Sequence, residues 1–221
     1  MIPLKDDNPT STYPYVTIGL IVINILVFFY EISLGPDFGP FLNRYGAKPL
    51  LVINMTSPHG YPSPHTTVFT SMFLHGGLLH VAGNMLYLWI FGNNVEDSMG
   101  HLRFIIFYLL SGIIAVFTFS FVNPRSIIPM VGASGAISGV LGAYLILFPR
   151  AKVLTLVLFG FYVRIIKVPA VFVLGMWIFV QIINGSVSGR TGGGVAWFAH
   201  IGGFVTGMIL IGLFKKRNKV V

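Results

Sequence analysis

The chain contains no cysteine and few charged residues. Only 9% of its 221 residues are charged, six of them acidic, whereas 55% are hydrophobic. Soluble domains carry about 25% charged residues, so the composition excludes an ordinary soluble protein. The absence of cysteine excludes disulfide bonds, a thiol nucleophile and thiolate metal sites.

The residues that replace the missing charge are apolar, aromatic and small. Aromatic residues make up 14% of the chain, glycines number 26, and the mean hydropathy is +0.83. This composition is typical of a polytopic membrane protein. The net charge of +8 does not indicate nucleic acid, because the basic residues lie at the ends of apolar runs, as membrane orientation requires. The predicted partner is the lipid bilayer.

Six apolar runs approach the length of about 20 residues that spans a bilayer. They are Tyr15–Tyr30, Leu78–Val95, Phe104–Val122, Ser134–Phe148, Val168–Ile183 and Trp197–Phe214. We therefore predict an all-α polytopic fold that forms a single membrane domain over residues 1–221. The shorter apolar stretch Val153–Val163 precedes Arg164 and Lys167, which favours a hairpin or an interfacial segment over a seventh span.

Six spans place both termini on one side of the membrane. With the termini in the cytoplasm, ten of the 14 basic residues are inside, as the positive-inside rule requires. The long outside loop Glu31–Thr67 is predicted to be a structured element on the membrane surface. The glycine-rich segment Asn184–Ala196 is predicted to be a linker or a lid.

Four polar residues in the predicted spans are candidates for function, because polar groups are costly at membrane depth. They are His80, Asn84, Ser134 and His200. Counting helical rise from the inner end of each span places all four within ~6 Å of one level. His80 and Asn84 are four residues apart and share one helical face.

Small residues predict which spans pack closely. The glycine stripes are Gly135, Gly139 and Gly142 on the fourth span and Gly203 and Gly207 on the sixth. Small residues let helices approach in lipid, so packing along these stripes could bring His200 to Ser134. The fourth span is short, so its helix should begin below the membrane surface, beside a water-filled cavity. Ser134 would lie at its N-terminus, where the helix dipole favours a developing anion.

These residue types fit acyl transfer. His200 could accept the Ser134 hydroxyl proton, while His80, Asn84 and the Ser134 N–H could bind an oxyanion. The predicted spans contain no acid, which leaves a Ser–His dyad in place of a triad and predicts no metal site and no cofactor. The six acids, all placed outside the spans, are Asp6, Asp7, Glu31, Asp37, Glu96 and Asp97.

Structural roles compete with this interpretation. A serine in a spanning helix often bonds a backbone carbonyl, and His80 with Asn84 could join helices at roughly 1 kcal/mol. His59 and His65 are predicted to be solvated, His75 to be structural, and His101 to lie at the inside surface. The convergence of four polar groups favours catalysis.

Several motifs occur together in a fixed order. They are the stretch Phe73–Met85, the pattern Gly92-x-x-x-Glu96-x-x-x-Gly100, the stretch Gly132–Gly135, and Ala199–Gly203 with Gly207. In this order and spacing they resemble the signatures of the rhomboid family of intramembrane serine proteases. Two features depart from the family. No Trp-Arg pair occurs near Pro62–Val68, and Ser138 stands where an aromatic residue often stacks under the histidine.

The resemblance implies specific roles. Ser134 would be the nucleophile, His200 the general base and then acid, and His80 and Asn84 the oxyanion-hole donors. The fifth span and the loop after it would gate lateral access of single-span membrane proteins. These substrates would be cut near the outer end of their transmembrane helix.

Two other functions stay open at this point. A non-proteolytic rhomboid-like protein would bind membrane clients, although such relatives lack the serine or the histidine. A small-molecule transporter would need a charged or broken-helix site near the midplane. The short tails suggest a bacterial or archaeal plasma membrane, and no sequence feature specifies an oligomeric state.

Overall fold

A computed structural model describes residues 1–159, 162–187 and 195–216. Helices dominate this part of the chain, and three short strands form one sheet. The elements are β1 (Ile2–Asp6), α1 (Tyr15–Ser33), a 3-10 turn (Gly35–Asp37), α2 (Phe38–Tyr45), α3 (Pro49–Asn54), α4 (Pro64–Thr70), α5 (Leu78–Met99), α6 (His101–Val122), α7 (Ser134–Leu147), β2 (Lys152–Phe159), β3 (Tyr162–Pro169), α8 (Ala170–Val187) and α9 (Trp197–Phe214).

Four helices within the described residues, α1, α6, α8 and α9, are long and apolar enough to cross a membrane. Helix α7 is apolar but has only 14 residues. Helix α5 has 22 residues and includes polar ones such as His80 and Asn84. The prediction of an all-α polytopic membrane protein is confirmed, while the count of six spans stays a prediction.

The helix starts at Tyr15, Leu78, Ser134 and Trp197 agree with the predicted starts. Other limits differ: α6 begins at His101, α7 ends at Leu147, α8 covers Ala170–Val187, and α1 and α5 end later than predicted. Strand β3 continues to Pro169, which explains the later start of α8.

The predicted placement of Glu31 outside the first span is wrong. Helix α1 continues to Ser33, and Glu31 in its last turn is fully buried. The Glu31 carboxylate accepts a hydrogen bond from the backbone N–H of His75 at 3.1 Å. A buried charged group is tolerated when it is hydrogen-bonded, so this acid fastens α1 to the segment before α5 and does not end the helix.

The helix of the second apolar run likewise continues past the predicted end at Val95. Helix α5 runs on to Met99, and the buried Glu96 carboxylate accepts hydrogen bonds from the backbone N–H groups of Val16 and Thr17 at 3.0 and 2.8 Å. These two groups lie in the first turn of α1, where free N–H donors need partners. His101 Nδ1 contacts the same carboxylate at 2.6 Å.

Helices α7 and α9 meet backbone to backbone along the predicted glycine stripes. A Cβ added to Gly203 would overlap the carbonyl oxygen of Gly135, and one added to Gly207 would overlap the carbonyl of Gly139. Only glycine permits this approach. The predicted packing of the fourth and sixth spans is confirmed.

The segment predicted as a hairpin or an interfacial stretch lies in a hairpin of β2 and β3, which pair antiparallel from Lys152 opposite Pro169 to Phe159 opposite Tyr162. Strand β1 adds to the other edge of β2. This strand was not predicted, because its five residues are too few for a periodic pattern to stand out and its partner β2 lies far along the chain.

Asp6, at the end of β1, reaches the helices. Its Oδ2 accepts hydrogen bonds from Tyr144 Oη at 2.7 Å and from Asn94 Nδ2 at 2.8 Å. Burial raises the pKa of the Asp6 carboxyl, and the bond from Tyr144 opposes that shift. The side chain thus ties the sheet to α5 and α7.

The long first loop is structured, as predicted, and holds the segment before Ser134. Ala47 and Met130 form a two-way backbone bridge at 3.0 and 2.8 Å, and the Leu50 N–H donates to the Ser126 carbonyl at 3.0 Å. The position of the loop on the membrane surface stays a prediction. Of the predicted linker or lid, residues 188–194 lie outside the described part of the chain.

We expect Gly207→Ala to destabilise the protein, because the added methyl group would overlap the Gly139 carbonyl. Overpacking of this kind costs about 1–3 kcal/mol, which a melting temperature in detergent would register as a decrease. Gly212→Ala on the same helix is the control, because its methyl group meets no atom within 4 Å. An unchanged melting temperature for Gly207→Ala would contradict the close packing of α7 and α9.

We expect Asp6→Ala to lower the free energy of unfolding by about 1–3 kcal/mol, since it leaves buried donors on Tyr144 and Asn94 without their acceptor. Thermal unfolding in detergent measures this change. Asp37→Ala removes an exposed acid and should have little effect. Equal stabilities for the two variants would show that Asp6 does not anchor the sheet.

Candidate active site

Ser134 is the first residue of α7, and the chain before it is held on both sides. The N–H of Gly132 donates to the Ser71 carbonyl at 2.8 Å, and Met130 pairs with Ala47. Gly132 has a φ of 127°, which disfavours any other residue. This bend turns the chain sharply into the helix and leaves the Ser134 hydroxyl at the helix N-terminus.

His200 lies in the first turn of α9, with its Nε2 2.8 Å from Ser134 Oγ. The two residues are 66 positions apart in sequence. They meet because the glycine contact between α7 and α9 begins directly below them, at Gly135 and Gly203. The expectation that close helix packing brings His200 to Ser134 agrees with this geometry.

All four predicted polar residues line one cavity of about 570 Å³. Ser134, His200, His80 and Asn84 all line it, although they come from three different helices. Its remaining walls are mostly apolar and include Leu141, Trp177 and Met130. Most ligand sites have this character, an apolar cleft with a few convergent polar groups.

His80 and Asn84 both line this cavity and carry side chains that can donate hydrogen bonds. The Gly76 N–H donates to His80 Nδ1 at 3.4 Å, so Nε2 carries the proton in the neutral ring. A Cβ on Gly132 would lie 2.7 Å from that Nε2, so the glycine lets the ring approach the Ser134 loop. Asn84 is 8% exposed, and its Nδ2 has no acceptor among the described residues.

The second nitrogen of His200 contacts a residue that the sequence analysis missed. Nδ1 of His200 is 2.7 Å from Oε1 of Gln181, which lies on α8. Trp177, one turn earlier on α8, packs beside the imidazole with ring centroids 5.7 Å apart. The available signal was an amide within an otherwise apolar span, since polar residues at that depth are functional candidates by default.

Comparison with known proteins identifies the family. The family model of the Rhomboid domain matches residues 63–217, which include all four cavity residues. The chain belongs to the rhomboid family.

Similar rhomboid proteins come from bacteria, yeast and plants. The chain is 38% identical over 145 residues to rhomboid protease GluP of Bacillus subtilis, covering 64% of this chain and 25% of GluP. It is 32% identical over 200 residues to the mitochondrial rhomboid protein 1 of Saccharomyces cerevisiae, covering 86% and 51%. RHOMBOID-like protein 1 of Arabidopsis thaliana is 34% identical over 160 residues, covering 68% and 37%. The chain thus matches about half or less of each of these relatives.

The position of Ser138 accounts for one departure from the rhomboid pattern. Its hydroxyl donates to the Ser134 carbonyl at 2.6 Å. Ser138 is therefore hydrogen-bonded within α7, and a different residue packs against the His200 ring. The aromatic neighbour comes from α8, where Trp177 lies at 39° to the His200 ring. The loop without a Trp-Arg pair is closed by Arg44, whose guanidinium donates to the Gly60 carbonyl at 2.7 Å.

The remaining histidines lie apart from the Ser134–His200 contact. His75 is fully buried, its Nδ1 is 3.2 Å from the Phe73 carbonyl, and its ring packs edge-on against His80. His59 and His65 are exposed. No three His, Asp or Glu side chains converge as metal ligands within the residues that the structure describes.

Proposed function

We propose that this rhomboid protein is an intramembrane serine endopeptidase in which Ser134 and His200 form a catalytic dyad. The observation that carries the proposal is the 2.8 Å contact of Ser134 Oγ with His200 Nε2 in a cavity between membrane helices. A hydroxyl becomes a nucleophile when an adjacent base accepts its proton. The similarity to rhomboid protease GluP supports the same reaction class.

In the first step, Ser134 Oγ attacks the carbonyl carbon of the scissile peptide bond. Its proton passes to His200 Nε2, and the carbonyl π electrons move to oxygen, which gives a tetrahedral oxyanion and an imidazolium. Collapse of this intermediate breaks the C–N bond. The imidazolium returns its proton to the leaving nitrogen, and an acyl ester remains on Ser134.

The oxyanion needs donors that are already in place. Three candidates belong to residues that line the cavity, namely Nε2–H of His80, Nδ2 of Asn84 and the backbone N–H of Ser134 at the start of α7. A helix N-terminus also carries a partial positive charge. Donors with no competing partner need no rearrangement when the charge develops, which is the property that makes such sites effective.

Hydrolysis of the ester completes the cycle. His200, neutral again, accepts a proton from a water that attacks the ester carbonyl. The second tetrahedral intermediate expels Ser134 Oγ, which takes the proton back from the imidazolium. The products are a carboxylic acid and an amine, and the dyad returns to its starting state.

The substrate and its route are part of the same proposal. By resemblance, the substrates are single-span membrane proteins cut near the outer end of their helix, and α8 with the segment after it admits them laterally. Both termini lie in the cytoplasm, as the distribution of basic residues indicates, and residues 1–221 form one membrane domain. The suggested bacterial or archaeal plasma membrane has no support from the relatives, which include mitochondrial proteins.

Ser134→Ala and His200→Ala should each abolish cleavage of a reconstituted single-span substrate, because each removes one half of the dyad. Cleavage in proteoliposomes and labelling by a fluorophosphonate probe measure the loss. Ser33→Ala changes an exposed hydroxyl at the end of α1 and serves as the control. A wild-type protein that neither cleaves nor labels would favour the alternative of a non-proteolytic client-binding protein.

Asn84→Ala should impair cleavage without abolishing it, since two other donors still face the oxyanion. Loss of one such donor costs about 10²–10³-fold in kcat. Asn54→Ala, which changes an exposed amide on α3, should leave kcat unchanged. A wild-type kcat for Asn84→Ala would remove this residue from the oxyanion hole.

A further inference from the structure

Gln181 is the only glutamine in the chain, and it is buried against the proposed catalytic base. It is 6% exposed, and its Oε1 lies 2.7 Å from His200 Nδ1. The amide nitrogen has its own acceptor, the carbonyl of Trp177 one turn earlier, at 3.3 Å. Because the nitrogen donates within α8, the oxygen is the atom that faces the imidazole.

This arrangement determines which ring nitrogen carries the proton. An amide oxygen can only accept a hydrogen bond, so the neutral ring of His200 must hold its proton on Nδ1. The lone pair is then on Nε2, which faces Ser134 Oγ at 2.8 Å. Only this tautomer can take the serine proton.

We propose that Gln181 is a positioning residue that fixes the tautomer and the ring plane of His200. The inference rests on the proposed proteolytic function and adds to the dyad a residue that orients its histidine. A serine triad usually places an acid at this position. Among the described residues, the only side-chain hydrogen-bond partners of His200 are Ser134 and this neutral amide.

A neutral acceptor suits the location. Burying a carboxylate beside a neutral histidine would leave a charge without a counter-charge in apolar surroundings, which is costly. The amide avoids that cost in the resting state. When His200 takes up the serine proton, the Gln181 oxygen still accepts from Nδ1 and faces the new positive charge.

Trp177 supports the same orientation from the same helix. Its indole lies beside the imidazole at 5.7 Å between centroids, and Trp197 packs on the ring edge-on at 6.4 Å. These contacts limit tilt of the ring, whereas the hydrogen bond from Nδ1 limits its rotation. Gln181 and Trp177 are four residues apart on α8, so one face of this helix supplies both contacts.

The test compares variants at position 181 in the full chain. Gln181→Leu and Gln181→Met replace the amide with an apolar side chain of similar size. The unbranched Met variant is included in case the Leu variant does not fold. Gln181→Glu keeps the side-chain length and places a carboxyl oxygen where the amide oxygen was. Val180→Leu, on the exposed side of α8, is the matched control.

Three measurements are made on each protein: kcat and KM for a reconstituted single-span substrate, the rate of fluorophosphonate labelling, and the melting temperature. General-base catalysis contributes about 10²–10⁴-fold to the rate. We expect Leu and Met to lose part of this contribution, so that kcat and the labelling rate both fall by about 10- to 100-fold. KM and the melting temperature should stay near wild type. Glu restores an oxygen acceptor and should recover part of kcat, with a lower melting temperature because it buries an acid in apolar surroundings. The control should match wild type.

The outcomes separate the inference from the function it rests on. If wild type neither cleaves nor labels, the proposed function fails. If wild type is active and Leu or Met is equally active, only the role of Gln181 fails. A loss confined to KM or to the protein substrate, with normal probe labelling, would place Gln181 in substrate access. Equal losses in Leu, Met and Glu with a lower melting temperature would make it a packing residue.

Discussion

The structure depends on the direct backbone contact between α7 and α9. Gly203 and Gly207 lie so close to the carbonyl oxygens of Gly135 and Gly139 that no side chain fits between them. In lipid, apolar surface gains little from burial between helices, so such close packing supplies much of the association energy. The contact begins next to Ser134, and the spacing of the two helices therefore sets the distance between the serine and the histidine.

Three acids, two of them fully buried, serve the fold and lie away from the Ser134–His200 contact. Glu31 and Glu96 each accept backbone N–H bonds, and Asp6 accepts bonds from Tyr144 and Asn94. Each one joins segments that are distant in sequence. Apolar packing is non-directional, so these hydrogen bonds fix how the segments are oriented. The protein thus uses its few carboxylates to join segments of the fold, and among the described residues no carboxylate is hydrogen-bonded to His200.

Much of the site could be predicted because helix geometry is regular. A fixed rise per residue placed Ser134 and His200 at one level, and glycine spacing indicated which helices pack. Their roles, like those of His80 and Asn84, stay proposals. Gln181 and Trp177 were missed because rise gives depth but not the rotation of α8 about its axis, and that rotation decides which side chains face His200.

Other misses have equally physical causes. Charge was taken as the end of a span, yet Glu31 and Glu96 are buried with hydrogen-bond partners contributed by distant segments. Strand β1 has only five residues, too few to reveal a strand from sequence, and it is recognised by its pairing with the distant strand β2. In each case the deciding interaction joins residues far apart in the chain, which local patterns do not encode.

The two partners of His200 lie on helices that contact α9 in different ways. Ser134 is carried on α7, locked to α9 through glycine, whereas Gln181 is carried on α8, which shares no such backbone contact among the described residues. A shift of α8 outward would leave the serine-to-histidine distance unchanged and would withdraw the acceptor from Nδ1. Under the proposed mechanism, such a shift would therefore remove the acceptor that orients the base, so that an opened site and full reactivity would exclude each other.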